Sequence, residues 1–210
     1  MREHAMGQRQ TLEEIDRELV ILLDESARPI GTAEKSEVHT DRTPLHQAFS
    51  CYLLNEAGEV LMTRRALSKT TWPGVWTNSF CGHPAPGELH EDAVMRRAAY
   101  ELGATVAEIR LAAPDFRYRA VDASGIVENE ICPVYTATIA SALRPNPDEV
   151  AEWAWIGMDA LVATVRQAPF AFSPWLAMQL ALPGVAGAAH SVVTSDGRAG
   201  VDTRAGVDTR

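Results

Sequence analysis

Residues 80–103 read FCGHPAPGELHEDAVMRRAAYELG, a turn rich in glycine and proline followed by a segment with helical periodicity. The apolar residues of this segment recur at the spacing of one helix face, at Ala93, Val94, Ala98 and Leu102. Acidic residues at its start suit the positive end of a helix dipole, and Gly103 stands where a helix would end. We therefore predict a turn at 82–84 and a helix over 88–102.

Aliphatic and β-branched stretches on both sides of this helix predict strands. They cover 18–24, 46–54, 60–65, 109–119, 126–140 and 149–156. A polar connection containing Gly58 joins the second of these to the third and indicates a β-hairpin. Pro133 has no N–H to donate, so its strand should lie at a sheet edge or be bulged there. Two short helices are predicted over 159–166 and 174–182, which together with the strands gives an α+β fold.

The length of 210 residues and the 46% hydrophobic content fit one domain. We place that domain at 17–182 and expect the polar residues 1–16 to form a flexible N-terminal tail. From 183 to 210 the chain is dominated by small and polar residues, and the hexapeptide at 199–204 is repeated at 205–210. Such a segment cannot bury enough apolar area to offset its ordering entropy, so we expect a disordered C-terminal tail.

Composition excludes several classes of partner. A net charge of -9 repels nucleic-acid phosphates, so no nucleic-acid partner is expected. The start of the chain lacks the apolar run of a signal peptide, and the longest apolar stretch, 175–189, is interrupted by polar and helix-breaking residues. Three cysteines, an odd count, favour reduced thiols. We expect a soluble cytoplasmic protein with no membrane partner.

Glu128 and Glu130 lie two positions apart in a predicted strand, so their carboxylates face the same side. If they were buried together they would repel each other unless a cation separated them, whereas on a solvated strand face they would need none. His39, His46 and His83 lie in or beside turn-rich segments from which imidazoles can converge. Three imidazoles and two carboxylates would suit a divalent first-row metal, which we state as a hypothesis.

Cys81 precedes the turn at 82–84. An isolated cysteine usually packs as a small buried hydrophobe, but beside a potential metal ligand an acid/base role is an equal alternative. Basic residues group around the same turn, at Lys35, Arg64, Arg65, Lys69, Arg96 and Arg97. Scattered surface charge is their usual explanation. In an acidic chain, this grouping indicates a polyanionic ligand such as diphosphate.

A longer pattern runs through the same region, with the spacing Gly82-x5-Glu88-x7-Arg96 followed by Glu101-x-Gly103. It is similar to the signature of the Nudix family, a loop-helix-loop whose glutamates bind metal beside a diphosphate. Where Nudix hydrolases carry further glutamates, this chain has Arg97 and Tyr100. Hydrolysis needs a metal-activated water that several carboxylates usually hold, so these replacements argue against it.

Within that fold the chain resembles one family, the type 1 isopentenyl-diphosphate isomerases. The matching stretches are 63–84 (TRRALSKTTWPGVWTNSFCGHP), 115–120 (DFRYRA), 125–133 (GIVENEICP) and 172–175 (FSPW). The resemblance spans 18–182 and implies a Nudix-type α/β/α sandwich with a mixed sheet. It also implies an isomerase that interconverts isopentenyl and dimethylallyl diphosphate in isoprenoid biosynthesis, as a monomer or weak homodimer.

The resemblance further implies residue roles. Cys81 and Glu130 would be the acid/base pair on opposite faces of the alkene, and Tyr118 would hydrogen-bond to Glu130. Trp175 would present its π face to a carbocation, although a core aromatic is the alternative reading of that residue. One divalent metal, Mn²⁺, Mg²⁺ or Zn²⁺, would be bound by His39, His46, His83, Glu128 and Glu130. A Mg²⁺ held by Glu101 and the Cys81 backbone carbonyl would bridge to the diphosphate. The diphosphate itself would contact Lys35, Arg65, Lys69 and Arg97.

Two alternatives stay open. One is a Nudix diphosphohydrolase, which Gly82, Glu88 and Glu101 support and which Arg97 and Tyr100 oppose. The other is a module that binds diphosphate or metal without catalysis. The retention of a chemically specific set of cysteine, glutamate, tyrosine and tryptophan argues against this second alternative.

Overall fold

The computed structural model describes residues 18–187. The predicted N-terminal tail and the end of the predicted C-terminal tail lie outside this range. The strands are β1 (Leu19–Leu23), β2 (Pro29–Glu34), β3 (His46–Gln47), β4 (Phe49–Leu54), β5 (Glu59–Arg65), β6 (Trp76–Thr77), β7 (Phe80–Gly82), β8 (Val106–Ala113), β9 (Arg117–Val121), β10 (Val127–Ile131), β11 (Val134–Ile139) and β12 (Val150–Gly157). The helices are α1 (Lys35–Val38), α2 (His90–Leu102), α3 (Met158–Gln167) and α4 (Pro174–Leu180), with a 3₁₀ turn at Pro169–Ala171.

The strands form two mixed sheets. One has the order β2-β1-β3-β10-β9, and the other has the order β12-β5-β4-β11-β8, with β6 added to β5 and β7 added to β4. In each sheet one central pair is parallel, β3 with β10 and β4 with β11, and the remaining pairs are antiparallel. The α+β class with mixed strands is confirmed, and the structure adds the division into two sheets.

The two parallel pairs are formed by the same two stretches of chain, which run side by side through both sheets. Ala48 separates β3 from β4, and Cys132 and Pro133 separate β10 from β11. Backbone hydrogen bonds continue across the break, from the Ala48 N–H to the Ile131 carbonyl (2.9 Å) and from the Ser50 N–H to the Pro133 carbonyl (3.1 Å). We call this crossing from one sheet to the other the seam.

The seam explains where the strand predictions were wrong. The strand predicted over 126–140 is two strands, because the chain changes sheets at Pro133. Of the two alternatives for Pro133, the edge is wrong, since β10 and β11 each have a neighbour on both sides. The irregularity is confirmed, since the strand breaks at Pro133 and the β11–β8 register shifts between Val134 and Tyr135. The strand predicted over 109–119 is likewise interrupted, at 114–116. The hairpin at Gly58 (φ 74°) and the helix ending at Gly103 (φ 57°) are confirmed.

Helices cover both faces of the seven-stranded sheet, whose strand β4 is buried along its whole length. Phe49, Cys51 and Leu53 face a core shared with α2, while Tyr52 and Leu54 face a core shared with α3 and α4. Side chains that alternate across a strand produce this division. Each fully buried leucine or phenylalanine contributes about 1.5–3 kcal/mol of transfer free energy. The α/β/α sandwich is therefore confirmed.

The packed chain continues past the predicted domain boundary at 182. Residues 183–187 are helical, and Val185 is fully buried in the core beside α4. Gly184 lies so close to the Ala112 carbonyl that a Cβ would stand 2.6 Å from its oxygen. The first residues of the predicted tail are therefore part of the domain. Between 18 and 187, no helix is long and apolar enough to cross a membrane.

Candidate active site

A cavity of about 340 Å³ collects the predicted site residues where the two sheets meet. Its lining includes Lys35, His39, Arg65, Lys69, Cys81, His83, Arg97, Glu101, Tyr118, Glu128, Glu130 and Trp175. His46 is fully buried and faces Glu130. A wider surface groove of about 1000 Å³ shares only Tyr118 with these residues and is lined by Arg117, Arg119 and Asn129. The site chemistry is concentrated in the smaller cavity.

Three histidines and Glu130 form the core of one end of this cavity. One ligand atom from each of His39, His46, His83 and Glu130 lies within 4.8 Å of all the others. The Oε1 atom of Glu130 is 3.4 Å from Nε2 of both His46 and His83. The strands set this convergence, because His46 and Glu130 are direct neighbours in the parallel β3–β10 pair. With Glu128, we call these residues the His/Glu site.

Glu128 lies on the same face of β10 as Glu130, as its spacing predicted, but outside the compact group of four. Its Oε2 atom is 3.1 Å from Nε2 of His39, and its Oε1 atom accepts a hydrogen bond from the Thr71 hydroxyl at 2.8 Å. The solvated strand face is wrong for this pair, since both carboxylates are buried. Thr71, which holds Glu128, was not predicted as a site residue.

Five buried atoms of the His/Glu site have no hydrogen-bond partner within residues 18–187. They are His39 Nε2, His46 Nε2, both ring nitrogens of His83 and Glu128 Oε2. Buried polar atoms normally have partners, and leaving one unpaired costs about 1–3 kcal/mol. Imidazole nitrogens and carboxylate oxygens are ligands for divalent first-row metals. The donor set and its unpaired atoms therefore fit a bound divalent cation.

The pKa values of the members of this site are shifted in different directions. Burial lowers the pKa of His83 to about 4, which keeps the ring neutral, as a metal ligand must be. Burial opposes charge on Glu130 and His46, but the attraction between the Glu130 carboxylate and the nearby imidazoles outweighs it. The pKa of Glu130 is held well below its usual range, while that of His46 is raised. Glu130 is thus an ionised carboxylate that can accept a proton.

Cys81 points to the opposite side of β7 from Gly82, where an added Cβ would meet Arg97 and Phe49. Its Sγ atom lies 3.4 Å from the Ser50 hydroxyl and 3.3 Å from the Asn78 amide nitrogen. Burial raises the pKa of this thiol to about 12, and Glu130 adds to the shift. In this state Cys81 carries a proton that it can donate.

Asn78 connects the thiol to Trp175. The Trp175 indole N–H donates to Asn78 Oδ1 at 2.9 Å. Because an indole N–H can only donate, this bond identifies the amide oxygen, so the amide nitrogen Nδ2 is the atom 3.3 Å from Cys81 Sγ. Trp175 is almost fully buried, and its ring packs against Trp72, Tyr118 and the Arg65 guanidinium. Sequence reasoning did not assign Asn78. Its position three residues before Cys81 was the available signal.

Tyr118 stands directly across from Glu130 in the β9–β10 register. Its phenol is buried, which together with nearby Glu130 and Glu128 raises its pKa well above 10. Within residues 18–187, no hydrogen bond joins the Tyr118 hydroxyl to Glu130. The structure thus brings the two residues together but does not form the bond that was expected.

The other end of the cavity holds the four predicted diphosphate contacts, which we call the cation cluster: Lys35, Arg65, Lys69 and Arg97. Lys35 pairs with Glu18 at 2.6 Å, and Lys69 pairs with Glu149. Arg65 instead donates to the Thr71 carbonyl at 2.9 Å.

Arg97 is the central member of the cation cluster. It contacts Glu101 at 2.6 Å, Glu149 at 3.4 Å and Glu18 at 3.5 Å. Sequence reasoning missed Glu18 and Glu149, because single acids at strand starts look like surface charge. In the structure these buried acids neutralise the cation cluster.

Two carboxylates beside the cation cluster have pKa values that are shifted in opposite directions. For Glu18, burial favours the neutral acid, but Lys35 and Arg97 outweigh that effect and lower the pKa to about 2. For Glu101, burial dominates and raises the pKa despite Arg97. Glu101 is the predicted Mg²⁺ ligand. A second cation beside it would replace the charge that Arg97 now provides.

Arg96 was grouped with the diphosphate contacts on sequence, but it has a different task. It binds both oxygens of Glu88 at 2.8 Å and donates to the His83 carbonyl at 3.0 Å. Glu88 in turn accepts from the Ala85 N–H. These contacts fix the turn that carries His83, so two residues of the helix signature hold a histidine in position.

Comparison with known proteins gives matches along most of the chain. The NUDIX domain family matches residues 44–176. An isopentenyl-diphosphate Delta-isomerase of Paenarthrobacter aurescens is 59% identical over 178 residues, which cover 81% of this chain and 97% of that protein. The enzyme of that name from Leifsonia xyli subsp. xyli is 63% identical over 166 residues, covering 78% and 90%.

The chain belongs to the isopentenyl-diphosphate Delta-isomerase family. Solved structures agree with the fold of this isomerase family. A Deinococcus radiodurans protein has a TM-score of 0.61 at 21% identity, covering 78% of this chain and 98% of its own. A MutT protein from Methanosarcina mazei has a TM-score of 0.51 at 16% identity, covering 72% and 96%. At such identities the likeness concerns the fold alone.

Proposed function

We propose that this protein interconverts isopentenyl diphosphate and dimethylallyl diphosphate. The observation that carries the proposal is one cavity that contains a protonated thiol, Cys81, and an ionised carboxylate, Glu130. The cation cluster lines the same cavity and is suited to a diphosphate. The names of relatives at 59% and 63% identity support the same substrate pair.

The reaction moves one proton onto the alkene and removes another. In the forward direction the S–H bond of Cys81 breaks and a C–H bond forms at the terminal alkene carbon, which leaves positive charge on the tertiary carbon. Glu130 then accepts a proton from the carbon on the diphosphate side, and that electron pair becomes the new double bond. Because each group can donate or accept, the reverse reaction uses the two groups in the opposite order.

The aromatic wall of the cavity suits the positive charge. Trp175 lies with Tyr118 and Trp72 at ring-centroid distances of 5.8 and 5.3 Å. A cation over a desolvated indole face is stabilised by about 2 kcal/mol. These rings also keep water away from a carbocation that would react with it.

Lys35, Arg65, Lys69 and Arg97 would bind the diphosphate, as the resemblance implies. The incoming anion has to compete with Glu18 and Glu149 for three of these cations. The Arg65 guanidinium is occupied by a neutral carbonyl, so it can turn to a phosphate at lower cost.

Metal binding is part of the proposal. His39, His46, His83, Glu128 and Glu130 would hold one divalent cation, Mn²⁺, Mg²⁺ or Zn²⁺, and Glu101 with the Cys81 carbonyl would hold Mg²⁺ at the diphosphate. When bound, the first cation would reduce the proton affinity of Glu130, and the second would neutralise diphosphate charge. The protein is proposed to act in the cytoplasm as a monomer or weak homodimer, without a nucleic-acid or membrane partner.

Incubation of metal-reconstituted protein with isopentenyl diphosphate in D₂O tests the function. Dimethylallyl diphosphate carrying deuterium is the expected product. Cys81→Ala and Glu130→Gln should each reduce turnover roughly 10²–10⁴-fold while circular dichroism stays unchanged. Near-normal turnover in either variant contradicts the assignment. Release of phosphate from nucleoside diphosphate compounds would instead favour a hydrolase, and tight binding without product would favour a non-catalytic module.

A further inference from the structure

Ser50 lies against the thiol of Cys81 but takes no part in the proposed proton transfers. It is fully buried in β4, and it faces Cys81 in the β4–β7 register. Its Oγ atom is 3.4 Å from two sulfur atoms, those of Cys81 and Cys132. Either partner could donate in these contacts, so the geometry of the pair alone does not say where the Ser50 proton points.

The direction follows from two residues on the other side of Ser50. The Gln179 amide nitrogen lies 2.8 Å from Ser50 Oγ, and the Tyr52 hydroxyl lies 2.9 Å from Gln179 Oε1. In the part of the chain that the structure describes, Gln179 is the hydrogen-bond partner of the Tyr52 hydroxyl and has no rival. If the amide were reversed, Tyr52 would accept and its own proton would be buried without an acceptor, which is costly. Tyr52 therefore donates to Gln179, and Gln179 donates to Ser50.

Ser50 consequently accepts a hydrogen bond and has one proton left to donate. Both remaining neighbours of its Oγ atom are sulfur atoms. Cys132 lies in the seam, outside the cavity lining, whereas Cys81 lines the cavity.

We propose that Ser50 is a positioning residue that donates its hydroxyl proton to Sγ of Cys81, and that Tyr52 and Gln179 make Ser50 a donor on the side where the sulfur atoms lie. The effect of Ser50 on catalysis rests on the proposed isomerase function, whereas the hydrogen-bond geometry does not depend on it. As Cys81 gives its proton to the alkene, negative charge develops on a sulfur surrounded by buried groups. A donor already aimed at that atom stabilises the charge without having to reorganise.

Asn78 also lies against the sulfur, but its amide N–H groups have nearer acceptors, the carbonyls of Phe80 at 2.8 Å and Cys51 at 3.2 Å. Its Nδ2 atom approaches Sγ of Cys81 at 3.3 Å, and its Oδ1 atom already accepts from Trp175 and Thr77 at 2.9 Å each. Those bonds are shorter than the 3.4 Å from Sγ to the same oxygen. Because that oxygen is occupied, the thiol proton is left to face the cavity, and Ser50 is the donor that remains for the sulfur.

The direct test is the infrared S–H stretching band of Cys81, identified by its loss in Cys81→Ala. Ser50→Ala should shift that band, and Tyr52→Phe should shift it in the same direction, since the amide of Gln179 is then free to reverse. Tyr52→Phe is decisive, because its hydroxyl touches Gln179 and not the sulfur. Cys51→Ala is the matched control, since it removes a buried thiol on the other face of β4 and should leave the band in place.

Kinetics give the second readout. Ser50→Ala should lower kcat roughly tenfold or more with KM within about twofold, and Ser50→Thr, which keeps the hydroxyl, should restore most of it. Circular dichroism and thermal unfolding identify any variant that fails to fold, and Tyr52→Phe then decides alone.

Two outcomes overturn the proposal. One is an unshifted Cys81 band in both Ser50→Ala and Tyr52→Phe. The other is a shift confined to the Cys132 band, identified by its loss in Cys132→Ala, which would assign the proton to that sulfur. If the wild-type protein makes no dimethylallyl diphosphate, the proposed function fails, while the infrared result still decides this inference.

Discussion

The two ends of the cavity are built on opposite principles. The His/Glu site brings polar atoms together and leaves five of them without hydrogen bonds within residues 18–187, whereas three of the four cations of the cation cluster are paired with Glu18, Glu101 and Glu149. Buried polar groups that stay unpaired are costly unless a ligand satisfies them. The first end is thus shaped for an ion that stays bound. We propose that the second end is neutralised so that an anionic substrate can enter and leave.

The largest expected effect is at the His/Glu site. His46→Ala removes a fully buried nitrogen donor, and we expect metal affinity and turnover to fall roughly 100-fold or more. Metal content per chain after dialysis, measured by mass spectrometry, checks the first of these. His90→Ala is the control, because His90 lies at the start of α2 and outside this site. Full metal retention in His46→Ala would contradict the assignment of the His/Glu site as the end of the cavity that binds metal.

Removing the central cation should cost stability instead. Arg97→Met leaves Glu101 buried without its cation and Glu149 with Lys69 alone, and we expect a loss of about 3–5 kcal/mol in the free energy of unfolding, measured with urea. Arg64→Gln is the matched control. Its pair with Glu152 is largely exposed, and such pairs contribute about 1 kcal/mol or less. Equal losses in the two variants would contradict a neutralised internal cluster.

Acid should release the same cluster in a defined window. The pKa of Glu18 is lowered from 4.5 to about 2 in the folded state, so its contribution is present above pH 4.5 and is lost as the pH falls through about 2. That contribution amounts to about 3 kcal/mol at most. Stability of wild-type protein should therefore fall more steeply than that of Glu18→Gln between pH 4.5 and 2. If the free energies of unfolding of the two proteins, measured by chemical denaturation, changed equally with pH, Glu18 would not be the group responsible.

The smallest effect is expected on the far face of β10. Asn129 lies between Glu128 and Glu130 but points away from the cavity, toward the Thr43 carbonyl at 3.3 Å. Asn129→Ala should change the free energy of unfolding by about 1 kcal/mol or less and leave metal content unchanged. A loss of metal in this variant would contradict the placement of Asn129 on the face of β10 that points away from the cavity.

Residue patterns predicted correctly those features that depend on residues close together in the sequence. The spacing of Glu128 and Glu130 predicted one face of a strand, and Gly103 predicted the end of α2, since each depends only on backbone geometry. The convergence of the histidines was a hypothesis, because it depends on strand pairing between distant segments. Resemblance to a family supplied the roles of Tyr118 and Trp175, which no periodicity could provide.

What sequence could not provide is the network of neutral and acidic partners. Asn78, Ser50 and Gln179 look like ordinary polar residues, and their importance appears only when the fold buries them around one sulfur. The sequence did not indicate a role for Glu18 or Glu149 either, because an acid can be recognised as a counter-ion only when the position of its cation is known. The break at Pro133 was noticed as an irregularity. That it carries the chain between two sheets depends on pairing that composition does not encode.

The seam also determines when the site can come into existence. Cys132 meets Ser50 across 82 residues of sequence, and the parallel pairing of β10 with β3 joins Glu130 to His46 over a similar span. Such contacts close a long loop, which makes them slow to form and dependent on nearly complete folding. A fragment that ends before β10 lacks Glu128, Glu130 and Cys132, so it cannot form the His/Glu site. The nascent chain therefore gains its proton-transfer chemistry in one late step, after most of the domain has been synthesised.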